Sequence, residues 1–299
     1  MTIALERLRT LRRQSGDDAV ANMHTHLPVH APSRVPSHAP PPPPPRPAAH
    51  TIEDLRRLLR VRAPAPIARS ASDADRMLPG DEIAPGLRLI ETLLPRDPLP
   101  QTLCGAFDRR DARIPIDNVM FFDTETTGLA GGTGTRAFMI GIAQWRNAGA
   151  QIGLHIRQWL MTTLFAERDL LAAFADTLRD NTILASYNGK SYDAPLLATR
   201  FRLARMRNPL AGLDHIDLLY PTRRRYKGRW ENCRLATIER QVLEIVREDD
   251  LPGSEAPAAW LRYLRGGSAR NLRRVAEHNR QDLASLGGLL MHHASINAL

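Results

Sequence analysis

The stretch Val119-Met120-Phe121-Phe122-Asp123-Thr124-Glu125-Thr126-Thr127-Gly128-Leu129 constrains this chain more than any other. Its opening run of four apolar residues reads as a strand covered on both faces, which places it centrally in an α/β sheet. Side chains alternate along a strand, so Asp123 and Glu125 leave the same face together at its C-terminal end. Two adjacent carboxylates repel, and one holds its proton unless a cation lies between them. Hard oxygen ligands without Cys or His nearby suit Mg²⁺ or Mn²⁺ better than zinc. A plain strand exit into solvent is the alternative use of the same residues.

At 299 residues the chain has room for one sizeable domain and a tail, or for two small domains. No apolar run reaches the roughly 18 residues of a membrane span, and Arg12-Arg13 is not followed by an apolar stretch, so neither a membrane anchor nor an export signal is expected. Cys104 and Cys233 are far apart and lack metal-ligand spacing, which fits a reducing, cytoplasmic setting. Only Lys190 and Lys227 among the 41 basic residues are lysine, a bias that genomic base composition can produce; the net charge of +9 still suits a polyanionic partner.

Residues 1–80 hold 13 of the 23 prolines, including the run Pro40 to Pro45, which excludes helix and strand there. They read as a largely disordered tail with short basic helices at Ile3 to Arg13 and Thr51 to Arg62, either a flexible linker or a tether for a partner. Its scattered histidines (His24, His26, His30, His38, His50) read as solvated. Residues 81–299 form the expected domain. Leu87 to Leu94 reads as a leading strand. Val119 to Glu125, Ala137 to Trp145 and Ile152 to Leu160 form an antiparallel meander, with turns at Gly131-Gly132-Thr133-Gly134 and Asn147-Ala148-Gly149. A helix over Leu164 to Leu178, a strand over Thr182 to Tyr187, a helix capped by Ser191 and running to about Met206, and a strand over Leu213 to Tyr220 follow. Helices are expected near Asn232 to Ile245, Ala256 to Leu264 and Ala269 to His293. The architecture expected is a mixed five-stranded α/β sheet, three antiparallel strands then two parallel ones, flanked by helices. Ligands on such sheets gather at strand C-terminal ends, where Asp123 and Glu125 lie.

Two further acidic pieces can reach that end. Asn188-Gly189-Lys190-Ser191-Tyr192-Asp193 occupies a strand-to-helix turn. Asp193 falls in the first helical turn, where the backbone dipole favours its ionised form, while Asn188 and Lys190 can contact a phosphate. Ordinary capping and a solvated lysine are the plain alternatives. In His278-Asn279-Arg280-Gln281-Asp282, residues four apart share a helix face, so His278 and Asp282 can address one spot or form an exposed polar stripe. Asp217 ends the last strand and is assigned to capping or to pairing with Arg223 or Arg224 in preference to a ligand role.

Taken together, Asp-Thr-Glu, Asn-x3-Tyr-Asp and the late Asp282 resemble the DEDD 3′→5′ exonucleases of the ribonuclease H-like superfamily. Residues 84 to 293 are similar to its bacterial YprB-type branch, including Asp217-Leu218-Leu219-Tyr220-Pro221 and Leu251-Pro252-Gly253. The resemblance implies that Asp123, Glu125, Asp193 and Asp282 bind two Mg²⁺ or Mn²⁺ ions about 4 Å apart, which clamp the scissile phosphate and activate a water. It places Thr126, Thr127 and Leu129 under the terminal nucleotide. One feature departs from the pattern. The tyrosine subclass has a Tyr with three residues between it and the last Asp, and the histidine subclass a His with four; here His278 occupies the tyrosine slot, so the way it would orient or deprotonate water is open.

Residues 200 to 230 carry nine basic side chains (Arg200, Arg202, Arg205, Arg207, Arg223, Arg224, Arg225, Lys227, Arg229) against Asp214 and Asp217, with Tyr220, Tyr226 and Trp230 interleaved. Charge with aromatic faces suits single-stranded nucleic acid. The function expected is a metal-dependent 3′→5′ exonuclease acting on the 3′ end of single-stranded DNA or RNA, possible in DNA repair. The alternatives are a non-catalytic nucleic-acid-binding module that docks a helicase or repair partner through the tail, and an endonuclease on the same fold.

Overall fold

The computed structural model describes residues 75–128, 133–146 and 152–296, which fall within the unit Arg69–Leu299. The Pro-rich run, the two stretches expected as N-terminal helices, Leu129, Gly131-Gly132 and the expected turn at Asn147-Ala148-Gly149 lie outside the described residues. In chain order the strands are β1 (Asp81–Ala84), β2 (Leu87–Pro95), β3 (Thr102–Leu103), β4 (Ile114–Pro115), β5 (Val119–Thr126), β6 (Ala137–Arg146), β7 (Gly153–Met161), β8 (Ile183–Ser186) and β9 (Asp214–Asp217). The helices are α1 (Glu167–Ala175), α2 (Asp193–Leu203), α3 (Leu219–Tyr226), α4 (Leu235–Ile238), α5 (Ala256–Leu264) and α6 (Arg270–Ser295).

The main sheet runs β1-β2-β7-β6-β5-β8-β9. β5, β6 and β7 form the antiparallel meander, and β8 and β9 join parallel to β5. This is the mixed sheet expected, widened from five strands to seven: β2 pairs antiparallel with β7 along its whole length, and β1 folds back on β2. β2 was expected as a leading strand, but its place at the β7 edge depends on a long-range pairing that local pattern does not carry. β3 and β4 form a separate two-stranded ribbon.

β5 is covered on both faces, and Val119 through Phe122 are fully buried. Met120 and Phe122 pack with Phe174 of α1 and Phe201 of α2, whereas Val119 and Phe121 pack with Phe107, Leu283 and Leu286. Trp260 of α5 stacks on Phe138 at 5.0 Å and donates its indole N–H to the Met161 carbonyl at 2.7 Å. α6, the longest helix, lies against β5, β6 and β7. The described N-terminal residues join the same body: Ala269 N–H donates to the Asp75 carbonyl at 2.7 Å, and Arg76 donates to the carbonyls of Tyr263 and Gly267.

Three elements end differently from the sequence expectation. The last strand stops at Asp217 instead of reaching Tyr220, because the Asp217 carboxylate accepts the Leu219 N–H at 3.1 Å and turns the chain into α3. Pro221 then sits in a first helical turn, where a missing N–H is harmless. Helix α2 begins at Asp193 with Tyr192 as its cap residue, so Ser191 is not the cap. The helix expected at Asn232 to Ile245 is only α4 followed by a wide turn over Glu239–Leu243; Glu244 adopts left-handed backbone (φ 57°) and terminates it.

α6 can approach the sheet closely because of one glycine. Register aligns Asp123, Gly141 and Gln158 across β5, β6 and β7. Asn279 sits over Gly141, where an added Cβ would lie 2.1 Å from its Oδ1. We expect Gly141→Ala to destabilise the chain by about 1–3 kcal/mol in urea denaturation. Gly134→Ala, where a Cβ meets nothing within 4 Å, is the control and should stay within roughly 0.5 kcal/mol.

Candidate active site

The two carboxylates of β5 take up positions at the C-terminal end of the central strand. Glu125 is buried, with 7% of its surface exposed. Asp123 is less enclosed and accepts the Asn279 side-chain N–H at 2.8 Å on Oδ2. Asn279 is fixed in turn by Gln158, which donates to its Oδ1 at 2.9 Å and to the Ala276 carbonyl at 2.7 Å. Thr124, pointing to the other face of the strand, donates its hydroxyl to Asp193 Oδ1. One three-residue segment thus contacts both the last helix and the start of α2.

Asp193 opens α2 after a sharply turned loop. Asn188 has left-handed backbone (φ 70°), and its N–H donates at 2.7 Å to Asp217 Oδ1, while the Lys190 N–H lies 3.2 Å from Oδ2. Asp217 is fully buried. Its carboxylate spans two backbone turns, a capping role in keeping with the preference for capping, though it meets main-chain amides and not Arg223 or Arg224. A Cβ on Gly189 would come within 2.4 Å of the Ser186 hydroxyl, so the turn admits only glycine there without rearrangement. The Lys190 side chain is exposed.

On α6, His278 and Asp282 share a face as their spacing requires, with Nε2 3.7 Å from Asp282 Oδ2. The structure adds three residues that no motif singled out. Arg247, in the segment between α4 and α5, donates to Asp282 Oδ1 and, through Nε at 2.7 Å, to the buried Glu239. Asp250 lies 2.7 Å from His278 Nδ1. A charged residue in an irregular segment carries no periodic signal; the one hint is the Leu251-Pro252-Gly253 stretch that follows it.

The residues that the resemblance puts under a terminal nucleotide differ in their surroundings. Thr126 donates its hydroxyl to the Gly128 carbonyl at 2.9 Å. Thr127 exchanges hydrogen bonds with Arg136, giving its N–H to the Arg136 carbonyl at 2.9 Å and accepting the Arg136 N–H on its hydroxyl at 3.0 Å, so this side chain also closes the β5–β6 hairpin. Leu129 lies outside the described residues. Arg200, counted among the basic surface, is instead buried and grips Glu167 at 2.6 and 2.7 Å while donating to the Thr133 carbonyl at 2.8 Å.

Burial, and then the neighbouring carboxylates Asp282, Asp193 and Glu125, push the Asp123 carboxyl well above the usual range. Glu125 is raised the same way, with Arg247 partly opposing. Asp282 is raised by burial against the pull of His278 and Arg247. Asp193 is raised to about 6, again by burial. The helix dipole was expected to favour its ionised form; desolvation outweighs that effect. A divalent cation relieves this repulsion, and the donor chemistry, hard oxygens with no thiolate, fits Mg²⁺ or Mn²⁺. As the side chains stand, no group of three or more His, Cys, Asp or Glu among the described residues is arranged to hold a metal ion. Arg247 already supplies one positive charge at Asp282.

A family model described as the RNase H superfamily matches residues 120–294, from the start of β5 almost to the end of α6. The chain belongs to the RNase H superfamily. YprB of Bacillus subtilis (strain 168), an uncharacterized protein, is 36% identical over 177 residues, which make up 59% of this chain and 42% of YprB. The match therefore spans less than half of that relative. Among solved structures, the family B DNA polymerase of the hyperthermophilic archaeon Pyrobaculum calidifontis superposes with a TM-score of 0.47 at 14% identity, over 59% of this chain and 24% of that one. No helix among the described residues is long and apolar enough to cross a membrane.

The raised carboxyls make the metal-free protein sensitive to pH. Each binds a proton when folded at a pH where the unfolded chain has released it, so their contribution to stability is full below the ordinary aspartate value of 3.8 and is lost as pH rises through the folded value, about 6 for Asp193. In chelator, the unfolding free energy should fall more between pH 5 and pH 8 for the native sequence than for Asp193→Asn. Added Mg²⁺ should restore stability at pH 8 more than at pH 5. Equal slopes for the two proteins in denaturant titrations would refute the coupling.

Proposed function

We propose that this chain is a metal-dependent nuclease, and specifically a 3′→5′ exonuclease acting on single-stranded DNA or RNA. The observation that supports this reading is that Asp123 and Glu125 from β5, Asp193 from α2 and Asp282 from α6 lie near enough for the charges of Asp193 and Asp282 to raise both carboxyls of β5, within an RNase H superfamily fold. A structural cluster that served stability alone would not gather four carboxylates whose charges oppose one another.

The roles follow from position. Asp123, Glu125, Asp193 and Asp282 would hold the metal ions, with Asn279, Thr124 and Arg247 fixing the orientation of Asp123, Asp193 and Asp282 respectively. Bound Mg²⁺ or Mn²⁺ ions supply Lewis acidity toward the phosphate and a more acidic water. His278 presents Nε2 on the Asp282 side, which supports a role in orienting or deprotonating that water. Thr126, Thr127 and Leu129 would flank the terminal nucleotide, with Asn188 and Lys190 beside its phosphate. Beyond the Asn188–Lys190 turn, α3 and the residues after it carry exposed Arg223, Arg224, Arg225, Lys227 and Arg229. Arg229 lies 5.8 Å from the ring centroids of both Tyr226 and Trp230. Such a ridge suits a strand backbone, held by phosphate contact.

A second reading, a non-catalytic nucleic-acid-binding module that docks a helicase or repair partner, is favoured by one observation: Arg247 occupies Asp282 with a resident cation. The two readings separate in one assay. Incubated with Mg²⁺ or Mn²⁺, the chain should shorten 3′-labelled and 5′-labelled single strands stepwise from the 3′ end, leave closed circles intact, and stop in chelator. Asp123→Asn should slow the reaction about a hundredfold or more. Strand binding without shortening under either metal supports the module; cutting of closed circles supports an endonuclease.

A further inference from the structure

Asp250 lies outside every motif that marks the site, yet its carboxylate reaches the one ionisable side chain whose slot departs from the family pattern. From this geometry we propose that Asp250 is a positioning residue: it accepts the Nδ1–H of His278, fixes that tautomer, and so leaves the Nε2 lone pair turned toward Asp282. The proposal deepens the nuclease reading and rests on it for its functional consequence, although the tautomer itself does not.

The segment carrying Asp250 is anchored. Asp249 takes left-handed backbone (φ 51°), and Arg274, one turn before His278 on α6, donates to the Asp249 carbonyl at 2.9 Å, to its Oδ1 at 2.9 Å and to the Asp250 carbonyl at 3.3 Å. Leu251 is buried next to it. Arg274 and His278 share a helix face, so the helix that carries the imidazole also holds its carboxylate partner in place.

Two groups compete for His278 Nδ1. Asp250 Oδ1 lies at 2.7 Å and Arg247 Nη1 at 3.1 Å. A guanidinium only donates. If Nδ1 were bare and accepted from Arg247, the Asp250 carboxylate would face a lone pair at the shorter of the two distances. Arg247 does not depend on the imidazole, because its Nε and Nη2 are already satisfied by Glu239 and Asp282. The carboxylate therefore takes the Nδ1 proton. A tyrosine in this slot would have no second ring atom to be oriented; a histidine does, since which nitrogen carries the proton is set by the bond the other makes.

The consequence for the reaction is direct. Nε2 takes a proton from water, the O–H bond breaking as the N–H bond forms. The resulting hydroxide bonds to phosphorus, the bond from phosphorus to the 3′ oxygen of the preceding nucleotide breaks, and that oxygen is protonated from solvent. The terminal residue leaves as a nucleoside 5′-monophosphate.

The test uses the full chain with ¹⁵N-labelled histidine in chelator at pH 8, with the His278 resonances assigned by their loss in His278→Gln. Two-bond ¹H–¹⁵N correlation should show proton-bearing Nδ1 and bare Nε2. In Asp250→Asn, whose carboxamide can donate to Nδ1, the proton should move to Nε2, and kcat on a single strand should fall about 10- to 100-fold with KM changed less than about twofold; Asp250→Glu should restore part of kcat. A protonated Nε2 in the native sequence overturns the proposal without any variant, as does an unchanged tautomer and kcat in Asp250→Asn. If no strand is ever shortened, the nuclease reading falls, while the tautomer still decides whether Asp250 positions His278.

Discussion

The hydrogen bond from Asn279 to Asp123 is the contact on which the site geometry depends. It requires α6 to lie almost on the backbone of β6, which only the missing side chain of Gly141 permits. It also requires a second donor to hold the amide in one orientation, and Gln158 supplies it from β7. Three strands and the last helix are thereby tied at one level. Asp282, one helical turn beyond His278, comes near enough to Glu125 for its charge to raise that carboxyl. A buried polar network of this kind costs desolvation unless every member is satisfied, and here each amide has its partners.

The same arrangement creates the site's main electrostatic problem. Four carboxylates withdrawn from water raise one another's proton affinity, and Glu239 adds a fifth buried acid on the α6 side. Arg247 answers part of this by bridging Glu239 and Asp282. Its charge is held in place by both acids even though burial opposes it. Arg247 also partly offsets the shift of Glu125, but burial and the neighbouring acids still hold Asp123, Glu125 and Asp193 above their usual range.

Much of this was legible in the primary structure. The apolar run before Asp123 specified a central strand, and the period of two placed Glu125 with Asp123; the spacing of His278 and Asp282 specified a shared helix face. What local pattern does not carry is long-range pairing and irregular backbone. β2 was recognisable as a strand but not as a neighbour of β7. Asp193 opens α2 as its position predicts, yet its carboxyl is raised where the helix dipole alone would lower it, because the dipole is local and burial is a property of the assembled fold. Arg200 counted as surface charge until Glu167 was seen beneath it. Arg247 and Asp250 lie in a segment with neither helical nor strand period, so only the folded chain brings them to α6.

That segment gives the departure from the family pattern a physical account. A phenol oriented over a carboxylate needs only its hydroxyl to be aimed, whereas an imidazole in the same slot has two nitrogens and is useful only if the right one is bare. Replacing the one by the other therefore demands an additional group behind the ring. In this chain the segment 245–253 provides it while bringing Arg247 to the same ring nitrogen and to Asp282. The two residues are three apart, and their side chains approach within 3.6 Å of each other. An alteration in the length of this segment would disturb His278 and Asp282 together, and the two ends of the site are in that sense one structural feature.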